Sequence, residues 1–315
     1  MLDFLQISGS LALFVTVVSH GMLLYLLINK TPSRMKHYTR LLYVHLANDF
    51  VFSMAFYLVL PHIFPLQGQL FIVSSNIAEL LGYDANLWLT TMYFYCEVLQ
   101  LLLLPLDFYY RYRVVCKEDI MSTKKLFTII TVMLLWVSMQ STVMCHLLGH
   151  SENDKKLLME AISFDELPIF VATQNPLVTY INQVMTQSGV ISCFAMCAYA
   201  FRRINAVLRR NLDTNKKNKT NKIERQITRL MIVQSVIPAI LVSLPLLATS
   251  ICTQLQITLT ILGPINQILI SWNGALKTIA TILVVPNYRN FILTKVGRRK
   301  SVTTIVTQLS TSRTV

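Results

Sequence analysis

Residues 87–113 read LWLTTMYFYCEVLQLLLLPLDFYYRYR. From Leu87 to Tyr110 the run is apolar and continuous, and it stops at two arginines, Arg111 and Arg113. A helix needs about 20 apolar residues to cross the hydrocarbon core of a bilayer, and this run supplies them. A membrane strand would alternate apolar and polar residues with a period of two, and the run does not. The same unit, an apolar run closed by basic residues, recurs along the chain. The candidate spans are Phe4–Ile28, Leu41–Leu60, Leu87–Tyr110, Leu126–Leu147, Leu177–Phe201, Ile227–Ile251 and Leu259–Val285. The expected fold is all-α, a seven-transmembrane helix bundle over residues 1–301. Residues 302–315, rich in Ser and Thr, read as a disordered cytoplasmic tail open to phosphorylation.

Composition agrees with lipid as the solvent. Of the 315 residues, 54% are hydrophobic and 14% charged, against about 25% charged in an ordinary soluble domain. Mean hydropathy is +0.52. The net charge of +13 could suggest nucleic acid, but that requires a basic patch on a soluble domain. Here the charge sits in short blocks between apolar runs, where it meets anionic membrane lipids. Nucleic acid is therefore excluded as a partner. The first run, Phe4–Ile28, is too long for the apolar core of a signal peptide and reads as a signal anchor.

The basic blocks also set an expected orientation. Lys30, Arg34, Lys36 and Arg40 follow the first span, and Arg111, Arg113, Lys117, Lys124 and Lys125 follow the third. The interval after the fifth holds Arg202, Arg203, Arg209, Arg210, Lys216, Lys217, Lys219, Lys222 and Arg225. The alternate intervals hold only Lys155 and Lys156, together with acids such as Glu79, Asp84 and Glu152. Basic loops stay in the cytoplasm, so the N-terminus is expected outside. Both Asn-x-Ser/Thr sequences, at Asn29 and Asn218, then fall on the cytoplasmic side and stay unglycosylated. The interval 202–226 is expected to be helical at both ends and loose around the run Asn215–Asn221.

Charges within membrane helices are costly and mark function. Four stand out: Asp49, Glu97, Asp107 and Lys277. Asp49 and Lys277 each lie about eight residues from the cytoplasmic end of their spans, at one depth given 1.5 Å rise per residue, and are expected to pair. The alternative is that each finds separate polar neighbours, Asn48 or Asn273. A lysine at this depth could also hold a retinal-like aldehyde, but nothing else supports that. Glu97 lies in the outer half of the third span near Trp88, Tyr93, Tyr95 and Cys96, where it can receive the polar group of a small ligand. It can equally be a protonated acid bonded to a neighbouring helix. Asp107, Tyr110, Arg111 and Arg113 form an acid–arginine cluster at the cytoplasmic end of that span, suited to a switch held by local pairing. The plain alternative is two arginines that snorkel to the interface. Pro238 and Pro245 interrupt the sixth span and Pro105 the third, and a kinked sixth span joined to a basic loop can swing.

These residues resemble a known family. Gln226-Ile227-Thr228-Arg229 leading to Gln234-Ser235-Val236-Ile237-Pro238 resembles the sixth span of nematode serpentine chemoreceptors of the Str superfamily. Asn273-Gly274-Ala275-Leu276-Lys277-Thr278-Ile279, closing with Tyr288-Arg289, is similar to the seventh-span signature of their Srh and Sri classes. Leu41-Leu42-Tyr43, Asp49, Pro61, Phe64-Pro65 and Gly68 resemble the second span and the loop after it. The chain departs from that pattern at Asn273, where His is usual, at Lys277, where Ser is usual, and at Pro286-Asn287. The loop between the fourth and fifth spans has no cysteine for a rhodopsin-type disulfide and must be held otherwise.

The resemblance implies a seven-span G-protein-coupled receptor in the plasma membrane, at the sensory cilium of a chemosensory neuron. It implies a small-molecule ligand, a heterotrimeric G protein as partner, and no cofactor or catalytic centre. The ligand-facing residues are taken to be Tyr93, Glu97, Trp272 and Asn273, and the coupling residues Asp107, Tyr110, Arg111, Arg113 and Pro238. Two other classes fit less well. A transporter would carry internal repeats or broken helices at the midplane, and a channel a polar stripe. A membrane enzyme would cluster its six histidines, six cysteines or acids, whereas the histidines are scattered and the cysteines lack zinc-ligand spacing.

Overall fold

The computed structural model describes residues 2–31, 36–117, 119, 121–161, 169–213, 218–259 and 261–295. The expected tail, 302–315, and the middle of the basic loop, 214–217, lie outside the described residues. Among the described residues, seven helices are long and apolar enough to cross a membrane: Phe4–Asn29, Tyr38–Val59, Tyr83–Cys116, Thr123–Leu147, Pro176–Arg210, Gln226–Gln254 and Leu262–Val284. They are called spans one to seven below.

Each expected span is present, and several overrun their apolar limits. The third runs on to Cys116, and the helix of the fifth runs from Pro176 to Asp213. An established helix propagates at little cost, and Arg, Lys and Leu are good helix formers. The expected loose run is helical from Asn218 onward, where the helix Asn218–Pro238 begins.

Burial separates the spans. The most apolar windows of spans two, three and seven are 56% buried, whereas those of spans four and five are 17% and 22% buried. Spans two, three and seven therefore form the centre, and spans four and five turn most of their surface outward. Their exposed faces carry Phe127, Leu135, Ile191 and Met196, as a lipid-facing surface should.

The interior divides along the bundle axis. At the end that carries the basic loops, Leu26, Leu41, Leu103, Leu230 and Tyr288 pack in one cluster. At the opposite end Phe52, Phe56, Tyr93 and Ile270 form another. Burying a side chain of this size stabilises by roughly 1.5–3 kcal/mol relative to exposure in water. Within a bilayer that drive is absent between helices, and close packing takes its place. Gly274 shows how close. A Cβ there would meet Ser53 Oγ at 2.8 Å and Thr16 Cγ2 at 3.4 Å, so spans one, two and seven meet at this residue.

The opposite end is capped by a small sheet that the sequence reading did not foresee. β1 (Pro61–Leu66) and β2 (Gln69–Ser74) form an antiparallel hairpin. Its two-residue turn is Gln67-Gly68, with φ of 46° and 81°. Two positive φ values match the turn whose twist suits a hairpin, and glycine adopts them without strain. β3 (Leu148–Gly149) and β4 (Phe170–Thr173) complete the order β1-β2-β4-β3. β4 pairs with β2 through Phe71 and Ala172, Ile72 and Val171, and Val73 and Phe170. The loop between spans four and five is thus held by a backbone ladder, and all six cysteines are free. A short helix, Glu152–Ala161, leaves from β3 and buries Leu158 against Phe64, Phe71 and Phe170.

The proline-rich sixth span is not one regular helix. Asn218–Pro238 gives way to a π turn, Ala239–Ser243, before Leu244–Gln254 resumes. Leu244 N–H reaches Ala239 C=O, the wider bond of a π turn. Pro245 has no N–H to give, so the helix widens just before it. The seventh span is also divided, at Trp272, into Leu262–Ser271 and Asn273–Val284.

Candidate functional site

Two buried assemblies lie along span three, one near the sheet and one toward the basic end. The first surrounds a cavity with about 830 Å³ of empty space, its open side included, among spans three to six beneath β2 and β4. Glu97, Gln140, Thr186, Gln187 and Ser250 line it amid apolar neighbours. Ligand sites are mostly apolar with a few placed polar groups, and this lining has that character. A narrower recess continues from it toward span seven, sharing Glu97 and Thr249 and adding Tyr93, Asn266 and Gln267.

The polar atoms of this region fall into two sets. Some are satisfied internally. Asn266 Nδ2 donates to Thr249 Oγ1 at 2.9 Å, Gln187 Nε2 to Ser250 Oγ at 2.8 Å, and Gln140 Nε2 to Thr186 Oγ1 at 3.2 Å. Others are not. The Tyr93 hydroxyl and both amide atoms of Gln267 are buried without a hydrogen-bond partner. Tyr93 is fully buried, its ring stacked on Phe52 at 5.5 Å and edge-on to Phe94 at 5.1 Å, so it cannot turn away. An orphaned buried polar group costs about 1–3 kcal/mol, so a cluster of them calls for a partner from outside the chain.

Not every expected ligand-facing residue reaches this place. Tyr93 and Glu97 line it, whereas Trp272 and Asn273 do not. Trp272 sits at the break in span seven and turns toward span one, its Nε1 donating to Ser8 Oγ at 3.2 Å. Asn273 is fully buried away from the cavity. Span seven contributes instead through Asn266, Gln267 and Ile270, which share one helical face nearer the sheet. Trp88, expected close to Glu97, is 69% exposed and faces outward.

The second assembly is a buried charge network. Lys277 Nζ lies 3.0 Å from Asp49 Oδ2 and 3.1 Å from Asp49 Oδ1. Gln100 Nε2 donates to Asp49 Oδ1 at 3.0 Å. The lysine also reaches His45 Nδ1 at 3.1 Å, and His45 Nε2 stands 2.7 Å from Asp107 Oδ2. With Lys277 charged, Nδ1 must accept, which leaves the ring proton on Nε2, the nitrogen that faces Asp107. One chain of contacts thus runs from span seven through span two to the basic end of span three. Asp49, Asp107 and Lys277 are each 2% exposed. Asn48, the alternative neighbour, instead donates to Cys96 C=O at 3.3 Å.

Asp107 and Arg113 of the acid–arginine cluster make separate contacts. Asp107 faces His45 across the bundle. Arg113 pairs with Asp119, just beyond the span, and donates to Tyr109 Oη at 3.4 Å. Helix geometry explains the split, since residues 107 and 113 are six apart and lie on different faces, whereas 107 and 111 share one. Arg111 is buried, and Tyr110 packs by its ring against Tyr38 at 6.5 Å. Tyr38 Oη donates to Gln234 Oε1 at 3.0 Å, and Gln234 Nε2 to Thr281 Oγ1 at 3.3 Å. That joins spans two, six and seven just below Pro238.

Sequence reasoning missed His45, Gln100 and Gln267, and quoted Gln234 only within a motif, with no role. Each is an uncharged polar residue in an apolar run, and nothing in one dimension shows what it faces.

A seven-span bundle with a cavity near one end and a charged core toward the other is the architecture of a G-protein-coupled receptor. Squid rhodopsin has the same fold, with a TM-score of 0.65 at 13% identity over 92% of this chain and 83% of that one. Among curated proteins, none matches in sequence. The family model described as serpentine type 7TM GPCR chemoreceptor Str matches residues 5–293, and the chain belongs to that family. The family is one of receptors, not enzymes, and its members cross the membrane several times.

Proposed function

We propose that the protein is a chemosensory receptor that binds a small external molecule and signals to a heterotrimeric G protein. It acts in the plasma membrane, at the sensory cilium of a chemosensory neuron, and is of the nematode Srh/Sri-like class. The N-terminus and the sheet face outside, and the basic loops face the cytoplasm, where basic residues are retained.

The observation that most supports this reading is the orphaned polar cluster beside Glu97. Tyr93 Oη and the Gln267 amide are fixed, buried and unpartnered. A ligand that supplies a hydrogen-bonding group there relieves an existing penalty, which is how a largely apolar cavity gains affinity and specificity. The ligand acts by binding two helix arrangements with different affinity. Span three carries Glu97 at the cavity and Asp107, Tyr110, Arg111 and Arg113 toward the coupling face. A shift of span three against span two must break or rebuild the Gln100–Asp49 and His45–Asp107 contacts. The π turn after Pro238 lets the cytoplasmic half of span six move.

Screening of small molecules against the full receptor with a G-protein readout tests the assignment. Glu97→Ala is expected to raise the effective ligand concentration about tenfold, the loss of one buried hydrogen bond. Arg111→Ala is expected to abolish coupling while leaving ligand binding in place. A ligand response unchanged in both variants rejects these roles.

A further inference from the structure

A second recess lies between spans three, four and five, and it joins the cavity. Trp136, Met139, Val143 and Met185 form its outer wall. These side chains are 48%, 53%, 44% and 54% exposed, and Trp136, Met139 and Met185 lie two or more turns inside their spans, so the recess opens toward the hydrocarbon of the bilayer. Its inner wall is common to the cavity: Val98, Gln140, Asn182, Thr186 and Val190 line both. Two hydrogen bonds join spans four and five at that boundary among the described residues: Gln140 Nε2 donates to Thr186 Oγ1 at 3.2 Å, and Asn182 Nδ2 makes a weaker contact with Met144 Sδ at 3.6 Å. No lining residue of the recess bears a formal charge.

We propose that this recess is the entry for a lipophilic ligand that arrives through the bilayer, with Gln140 and Thr186 as its gate. The inference deepens the receptor reading by naming the ligand's class and route. Three observations fix that class. The outer wall is apolar at bilayer depth and suits an alkyl or ring system already dissolved in lipid. The neck is polar but uncharged, so it passes a neutral head such as a hydroxyl, ketone or ester and disfavours an ion. The path ends at Tyr93 Oη and the Gln267 amide, where such a head finds partners. A separate mouth lies near the sheet, lined by Gln67, Gln183, Gln254 and Gln256. It suits water-soluble molecules and is the competing route.

Gly189 provides the test. It lines the recess, and a Cβ there would meet no atom within 4 Å. The position thus accepts the first atom of a side chain, and Gly189→Trp places a bulky ring at the recess. The full receptor is placed in phosphatidylcholine vesicles with a long-chain alcohol bearing a photoreactive diazirine, and labelled residues are mapped by mass spectrometry. Labelling at Trp136, Met139 and Met185 should be displaced by excess plain alcohol, whereas labelling at Phe14 and Val18, exposed on span one, should not. Gly189→Trp should cut the displaceable label at least about tenfold, and Gly189→Ala should leave it near the parent level. If Gly189→Trp does not fold, Val143→Trp fills the recess from span four with the same expected result. Labelling at the recess no more displaceable than at Phe14, or displaceable label found at Leu177 and Tyr180 of the polar mouth, overturns the proposal. No G protein enters this assay, so failed signalling would count against the receptor reading alone.

Discussion

Asp49 and Lys277 show how far one residue's chemistry reaches in a low-dielectric setting. Removing one partner of a buried ion pair leaves an uncompensated charge, which costs about 3–5 kcal/mol. Here His45 and Gln100 also lean on the pair. Asp49→Ala and Lys277→Ala are each expected to deplete the receptor from the cell surface. The exchange, Asp49→Lys with Lys277→Asp, should restore much of it, because Gln100 can turn its free Oε1 toward a lysine at position 49. Surface labelling measures this, and an exchange as poor as the single variants rejects a paired role. The two charges were legible in sequence because any charge in an apolar run is conspicuous. Their histidine bridge was not, since His45 looks like any polar residue near a helix end.

At the scale of elements, the sheet was the main surprise. Its strands are short, and β1 carries Pro61 and Pro65, which argue against a central strand. β1 is indeed an edge strand, paired only with β2. The apolar stretch from Leu66 to Val73 reads equally as a loop lying over a helix bundle. What decides it is pairing with β4, about 100 residues away, which no local pattern reveals. His62 on β1 gives a handle on this element. Its ring stacks near Phe64, its Nε2 meets Ser75 Oγ at 2.8 Å, and burial pushes its pKa from 6.5 down to about 4. The folded state therefore favours neutral His62. Its contribution is complete above pH 6.5 and is lost as pH falls toward 4, to a limit of about 3 kcal/mol. Thermal unfolding in detergent should fall between about pH 7 and about pH 4.5, and His62→Phe should flatten that fall. An equal fall in both proteins would remove His62 as the cause.

For the whole molecule, periodicity and the basic blocks gave the seven spans and the bundle directly, because lipid tolerates few alternatives to a helix. The cavity was only half legible. Glu97 and Tyr93 stood out, but the contribution of span seven depends on how it breaks at Trp272 and packs against Ser8, which is a tertiary matter. The proposed orientation can be checked by tagging Met1 and Val315 on intact cells. The first tag should be reached by an impermeant antibody and the second only after permeabilisation. Tags on the same side would contradict an odd number of crossings.

The ladder from β2 to β4 carries a last consequence. The segment covering the cavity is fastened by amide-to-carbonyl contacts and by the packing of Phe170 against Phe71, and no sulfur bridge is involved. Its fastening is therefore indifferent to ambient redox conditions, and it can be completed as soon as the hairpin meets the later strand, without waiting for an oxidant. A cover sewn this way can also come undone one rung at a time, so that partial opening costs far less than breaking a covalent tie.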